Sequence, residues 1–395
     1  MSKFFHPLMH NNFSSSDITS VKNFLNKSKI LTSNKKVKEF EKKWSKWQGT
    51  KYSVFVNSGS SANLLSIAYL KTIFKSGEII VPTLTWSSDV SSVINSGFKP
   101  VFVDIDLKNL GAIENEIIKK INKKTIAVFL THVLGFNCLS SKLIKYLKSK
   151  KIILIEDCCE SHGAKFNKKK VGNFGLMSNF SFYYAHHMTT IEGGMVCTND
   201  KKVYEIIRML RGHGLVREAS LKSTRDKFFK KYKDLNDQFI FSLPGYNVRS
   251  TEINAVIGIN QLKSLNLNIS KRNKNFTFFL KNLDKDKYLT DFNLYGMSNY
   301  ALIIIFNKKY RKIKFRNKFE KMLTTKKIEF RRGMAGGGNQ LRQPYVRDYF
   351  KNKRHNMKFY KNSEIVHFYS YYIGNFPSLA EKKIKSICKI LNDVN

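Results

Sequence analysis

Short β-rich runs alternate with longer helical stretches between about residues 50 and 200. Glu78–Val81, Pro100–Val103, Thr125–Thr131 and Ile152–Ile155 each read as a strand, and the segments between them carry lysines and polar residues at helical spacing. Strands joined through a helix pair in parallel, because the crossover returns the chain to the same end of the sheet. The expected fold class is therefore α/β, with a mostly parallel, doubly wound sheet and helices on both faces. In such sheets ligands bind at the carboxyl ends of the strands.

Chemistry-bearing residues gather at those ends. Asn57-Ser58-Gly59-Ser60-Ser61 precedes the apolar-periodic stretch Ala62–Phe74. Unpaired N–H groups at a helix start favour a phosphate, although serine and glycine there also make an ordinary cap. Ile152–Ile155 runs into Glu156-Asp157. A carboxylate behind so apolar a strand needs a cation, and a protonated pyridine nitrogen or a lysine would both serve; a helix cap is the third option. A further β-like run, Asn179–Tyr184, leads into Ala185-His186-His187. Adjacent histidines in an extended strand point to opposite faces, which suits one imidazole as acid or base in the cleft and not joint chelation of a metal. The same pair also fits a purely structural role.

A chain of 395 residues is long for a single core. After about residue 265 its texture turns lysine- and asparagine-rich, with a β-like run at Tyr300–Phe306, a helix-like run at Lys314–Leu323 and a glycine cluster at Gly336–Gly338. We expect a large domain over 31–265 and a smaller α+β domain over 266–395, with residues 1–30 packed against the smaller one. The net charge of +41 is spread along the whole chain without an aromatic-basic motif, so a solvated lysine-rich surface is expected rather than a nucleic-acid site. Such a field also attracts anionic substrates. No apolar run matches a signal-peptide core or the ~20 residues of a membrane span, which points to a cytoplasmic location and no membrane partner. The five cysteines are odd in number and form no CxxC pair, so neither a disulfide nor any metal site is expected.

Taken in order, Asn57 to Ala62, Val81 to Trp86, Pro100 to Asp104, Glu156-Asp157, Ser181 to Gly194 and Pro244 to Arg249 resemble the landmarks of the DegT/DnrJ/EryC1/StrS sugar aminotransferases, over nearly the full length. That family has the fold type I architecture of pyridoxal phosphate (PLP) enzymes, so the resemblance implies PLP and its amine form, pyridoxamine phosphate, as cofactor. It implies that Gly59, Ser60 and Ser181 hold the cofactor phosphate, that Trp86 stacks on the ring and that Asp157 pairs with the ring nitrogen. Glu160 stands where the family usually has a glutamine near the ring hydroxyl. Asn247 is implied to reach the phosphate of the neighbouring subunit's cofactor, with Arg249 close to the substrate, which makes the protein a homodimer with shared active sites.

The family's cofactor-binding lysine falls six residues into the Ser181 segment, where this chain has His186. Ala185-His186-His187 resembles the family's 3-dehydratase branch, which acts on a GDP-linked 4-keto-6-deoxymannose; so does Glu329-Phe330-Arg331, which implies that Arg331 contacts the substrate. Tyr184 in place of the usual proline, Ile191 in place of the usual glycine, and the run Arg332 to Gln340 depart from the branch pattern. An imidazole cannot form the stable imine that a lysine forms, but it moves protons near neutrality.

The implied activity is loss of the C3 oxygen from a nucleotide-linked 4-keto-6-deoxy sugar, with L-glutamate as amino donor and His186 as acid and base, in deoxysugar supply for lipopolysaccharide O-antigen. A nucleotide-sugar aminotransferase with a displaced lysine, from Lys165 or Lys168 to Lys170, and a cofactor-binding pseudoenzyme are the alternatives. Iron–sulfur chemistry is not expected: only Cys388 follows Cys197, so four thiolates cannot be gathered in the second half of the chain.

Overall fold

The four strands expected from the alternation form at Glu78–Pro82, Lys99–Val103, Thr125–Thr131 and Ile153–Asp157, and they pair in parallel. The computed structural model describes residues 4–10, 12–351 and 355–394; residues 1–3, 11, 352–354 and 395, which belong to the expected N-terminal and C-terminal segments, lie outside it. Met177–Ser181 extends the parallel array beside Ile153–Asp157. Gly194–Thr198 pairs antiparallel with Met177–Ser181, and Tyr52–Val56 pairs antiparallel with Gly194–Thr198 to complete seven strands. The fold is α/β with a mostly parallel central sheet.

Burial explains why the alternation was readable. Ile79, Ile80 and Val81 are all inaccessible to solvent, as expected where helices cover both faces of a sheet. On one face Val54, Val56, Ile79, Val81 and Phe129 pack with Leu65 and Ile67 of the helix Gly59–Lys71. On the other, Phe55, Ile80, Val128 and Leu130 belong to a core that runs on into Phe276, Ile303 and Phe319. Each fully buried side chain of this size contributes roughly 1.5–3 kcal/mol.

Two boundaries differ from expectation, and both matter for the site. The apolar strand does not stop at Ile155 but carries Glu156 and Asp157 within it, paired to Leu130 and Thr131. The run Asn179–Tyr184 is a strand only to Ser181. Beyond Ser181 the chain closes on itself: the amide of His186 donates to the Tyr183 carbonyl at 3.0 Å and that of Thr190 to Phe182 at 3.0 Å. The two histidines therefore sit in a turn, and strand alternation does not set their directions.

After residue 265, an antiparallel sheet places Ser370–Gly374 between Ala301–Ile305 and Phe330–Arg332. Residues 6–8 run along it: His6 bridges to Ile328, its Nε2 lies 2.9 Å from the Gly374 carbonyl, and the Leu8 amide donates to Glu329 at 2.8 Å. The helix Ser15–Leu25 instead packs on Glu252–Gln261, where the Asn260 and Gln261 amides donate to Asp17 at 2.8 and 2.7 Å. All five cysteines are free. Among the described residues no helix is long and apolar enough to cross a membrane.

Candidate active site

A cavity of about 400 Å³ opens where the parallel strands end, within the size range of small-molecule sites. The strand termini deliver Thr131, Asp157 and Ser181, the loop after Val56 and the helix start that follows deliver Ser58, Gly59 and Ser60, and Leu8, Met9, Tyr300, Arg331 and Tyr372 close the opposite wall. Of the expected site residues, Gly59, Ser60, Trp86, Asp157, Glu160, Ser181, His186 and Arg331 line it together. Asn247 and Arg249 do not. They lie on a separate stretch bridged to Gly212 and Val56, where Arg249 Nε donates to Asn247 Oδ1 at 3.1 Å and Arg249 Nη1 lies 3.8 Å from Glu218 Oε1.

One end of the cavity is an anion cradle. The helix Gly59–Lys71 starts there, three residues before the expected Ala62, capped by the Ser58 hydroxyl, which accepts from Ser61 N–H at 3.0 Å. The amides of Gly59 and Ser60 make no hydrogen bond among the described residues and carry the positive end of the helix dipole. A Cβ on Gly59 would stand 2.5 Å from Ser181 Cβ and 3.0 Å from Cys159 Sγ, so only glycine lets the helix start approach Ser181 this closely. Hydroxyls of Ser60 and Ser181 complete a set of donors that suits a phosphate.

The other end is acidic and dry. Asp157 is 3% exposed; it accepts from the Cys159 amide at 2.8 Å and from Asn63 Nδ2 at 3.4 Å, and among the described residues no lysine or arginine pairs with it. Glu160 accepts from the Leu134 amide at 2.9 Å, and its proton affinity is pushed up to about 7 by burial and then by the Asp157 charge, against that hydrogen bond. A phosphate cradle, a half-exposed indole at Trp86 and a buried carboxylate seeking a cation, arranged along one cavity, fit a phosphorylated pyridine cofactor.

His186 lines the same cavity, with its ring centroid 5.4 Å from that of Tyr300. Its carbonyl accepts from Asn12 Nδ2 at 3.2 Å and from Arg272 Nη2 at 3.4 Å. Burial first, and then the Arg272 charge, lower its pKa to about 3, so the imidazole is neutral across the physiological range. Arg272, 2% exposed, also donates to the carbonyls of Tyr300 and Asn375, and no carboxylate pairs with it among the described residues. His187 turns away into the core, where its Nε2 lies 3.1 Å from the Ser298 carbonyl. Only His186 of the pair lines the cavity, yet both rings pack against His162 and Tyr300, so the two are not sent to opposite faces.

Among the described residues no lysine lines the cavity. Lys165, Lys169 and Lys170 lie on a small hairpin, and Lys170 Nζ is bonded to the Trp47 carbonyl. A buried trio, His132, Glu156 and Cys158, brings its donor atoms within 4.8 Å of one another. Glu156 is already engaged through both oxygens, by the amides of Phe174 and Gly175 at 2.8 and 2.7 Å and of Gly172 at 2.7 Å, so its work is to hold that loop.

Several lining residues were not found from the sequence. Asn63, Thr131, Cys159, Tyr300, Tyr372, Leu8 and Met9 carry no motif. The one available signal was Asn63, an amide in the middle of an apolar-periodic helix.

The DegT/DnrJ/EryC1/StrS aminotransferase family model matches residues 12–392. GDP-4-keto-6-deoxy-D-mannose 3-dehydratase of Escherichia coli O55:H7 is 35% identical over 375 residues, covering 94% of this chain and 95% of that protein. The enzyme of the same name from Yersinia pseudotuberculosis is 37% identical over 288 residues, 72% of this chain and 73% of that one. A crystal structure of GDP-4-keto-6-deoxymannose-3-dehydratase with a trapped PLP–glutamate geminal diamine superposes with a TM-score of 0.87 at 33% identity, over 98% of this chain and 100% of that one. The match over almost the whole chain and a cavity shaped for this cofactor lead to one conclusion: the protein belongs to the PLP-dependent DegT/DnrJ/EryC1/StrS aminotransferase family.

Proposed function

We propose that this chain is a 3-dehydratase that removes the C3 oxygen of a nucleotide-linked 4-keto-6-deoxy sugar, with L-glutamate as amino donor. The overall change balances as 4-keto-6-deoxy sugar plus glutamate giving 4-keto-3,6-dideoxy sugar, 2-oxoglutarate and ammonia. The observation that carries the reading is a neutral histidine, His186, on the wall of a PLP-shaped cavity that no lysine lines among the described residues. The relatives named above support the substrate class.

Bound PLP supplies an electron sink and, in its amine form, the nitrogen that joins the C4 ketone. The chain's part is placement and proton movement. Gly59, Ser60 and Ser181 anchor the phosphate, Trp86 covers the ring, Asp157 faces the ring nitrogen and Glu160 the ring hydroxyl. His186, neutral at rest, takes the proton from the C4′ carbon and, once charged, delivers it to the departing C3 oxygen. A lysine there would be mostly protonated near neutrality and would need a much larger shift to act as the base. Arg331 contacts the substrate, while Asn247 and Arg249 act at the partner subunit's cavity in a homodimer. That assignment accounts for their position outside their own.

The test is to incubate the full-length protein with PLP, glutamate and a GDP- or dTDP-linked 4-keto-6-deoxy sugar, and to weigh the product. Loss of one oxygen with release of ammonia supports the reading. A 4-amino sugar makes the protein an aminotransferase, and no turnover on any nucleotide sugar makes it a cofactor-binding pseudoenzyme.

A further inference from the structure

His132 follows directly on the strand Thr125–Thr131 and faces Glu156, the strand neighbour of Asp157; both side chains are inaccessible to solvent. Its ring is held at both edges. The Cys138 amide donates to Nδ1 at 3.2 Å, and Nε2 lies 3.2 Å from Glu156 Oε2. A peptide N–H can only donate, so Nδ1 carries no proton and Nε2–H is the donor to Glu156. Burial opposes a second proton on the ring, whereas the Cys138 and Glu156 side chains draw one. That proton could sit only on Nδ1, where the Cys138 amide already points, so the ring stays neutral. Glu156 cannot drift, because the amides of Gly172, Phe174 and Gly175 also donate to its carboxylate.

Between His132 and Cys138 the chain makes a turn, Val133–Gly135, closed by the Phe136 amide donating to the Val133 carbonyl at 3.0 Å. Leu134, at its centre, lies in the left-handed region at φ 50° with its side chain buried. That backbone is costly for leucine, and it persists only where the surroundings hold it, often at functional sites. Both main-chain groups of Leu134 are engaged with the cavity wall. Its amide donates to Glu160 at 2.9 Å, and its carbonyl accepts from the Tyr300 amide at 3.1 Å. Glu160 and Tyr300 both line the cavity.

We infer that His132 is a positioning residue: a neutral imidazole that ties the Val133–Gly135 turn to Glu156 and so holds left-handed Leu134 where it fixes Glu160 and Tyr300 on the cavity wall. The task needs an acceptor on one edge of the side chain and a donor on the other. Asparagine supplies the near acceptor alone, and leucine supplies neither. The use made of this placement rests on the assignment of Glu160 to the ring hydroxyl of bound PLP set out above.

NMR of the full-length protein labelled with 15N-histidine tests the tautomer at pH 7, with His132→Asn to assign the signal. One protonated and one bare ring nitrogen are expected, and two protonated nitrogens overturn the inference. The positioning is read from the titration of Glu160, followed through 13C-carboxyl-labelled glutamate and assigned with Glu160→Gln. The Leu134 amide favours the ionised carboxylate. Its loss in His132→Leu should make Glu160 hold its proton about tenfold more tightly, with a smaller effect in His132→Asn. A His132→Leu protein that is less stable to urea but titrates Glu160 as wild type does would make His132 a packing residue only. If His132→Leu does not fold, Glu160 unmoved in His132→Asn overturns the inference. Repeating the wild-type titration with PLP bound separates the two readings: a Glu160 that PLP does not move loses its assignment to the ring hydroxyl, while the effect of His132 on it stands.

Discussion

The guanidinium of Arg272 donates to the main-chain carbonyl of His186 at 3.4 Å, placing a buried cation beside a residue whose imidazole lines the cavity. Burial is the larger cause of the low His186 pKa and this cation the second. Arg272→Met should therefore raise that pKa from about 3 while leaving it below 6.5. NMR of 15N-histidine-labelled protein, with His186→Gln to assign the signal, checks this; a pKa unmoved by the substitution would remove Arg272 from the account.

Glu160 gives a pH dependence of stability with a definite sign. Its folded pKa is raised from 4.5 to about 7, so the folded chain binds more protons than the unfolded one in that window. Stability from this group is complete below pH 4.5 and is lost as pH rises through 7. Glu160→Gln keeps an acceptor for the Leu134 amide. It should stabilise the protein by up to about 3 kcal/mol at pH 8 and by little at pH 4.5, as read from urea midpoints.

Ile191 occupies the left-handed region at φ 70°, the position where the family usually has glycine. A β-branched side chain is strained there, and this one is 48% exposed, so little packing offsets the strain. Ile191→Gly should raise stability by about 1 kcal/mol. A thermal melt that falls instead would show that the isoleucine makes a contact worth more than its strain.

His186→Lys should allow borohydride to fix PLP to the chain, visible as a gain in protein mass, and should abolish deoxygenation. Failure to fix it would mean that residue 186 does not reach the cofactor aldehyde.

Much of the large domain and half of the site were legible because they rest on local rules. The strand Thr125–Thr131 was read to the residue, since a continuous apolar run flanked by polar residues has one reading in a sheet covered on both faces. Gly59, Asp157, Ser181 and His186 stood out as polar or small residues where apolar runs end. Tyr52–Val56 and Gly194–Thr198 were missed, because five-residue strands that contain serine, glycine or threonine are too short for periodicity to declare. Asp89 was missed for a different reason. In Trp86-Ser87-Ser88-Asp89 an acidic residue in a first helical turn reads as an ordinary dipole partner, and only the tertiary fold brings it 2.6 Å from Asn63 Nδ2, the amide that also reaches Asp157.

Residues 6–8, zipped to Ile328, Glu329 and Gly374, have a consequence for how the protein is made. Leu8 lies 321 positions before Glu329, so it and Met9 leave the ribosome long before the strands that hold them against the cavity. The large sheet can assemble during synthesis, but the wall opposite Asp157 cannot close until residue 374 has emerged, so cofactor capture awaits the strand Ser370–Gly374.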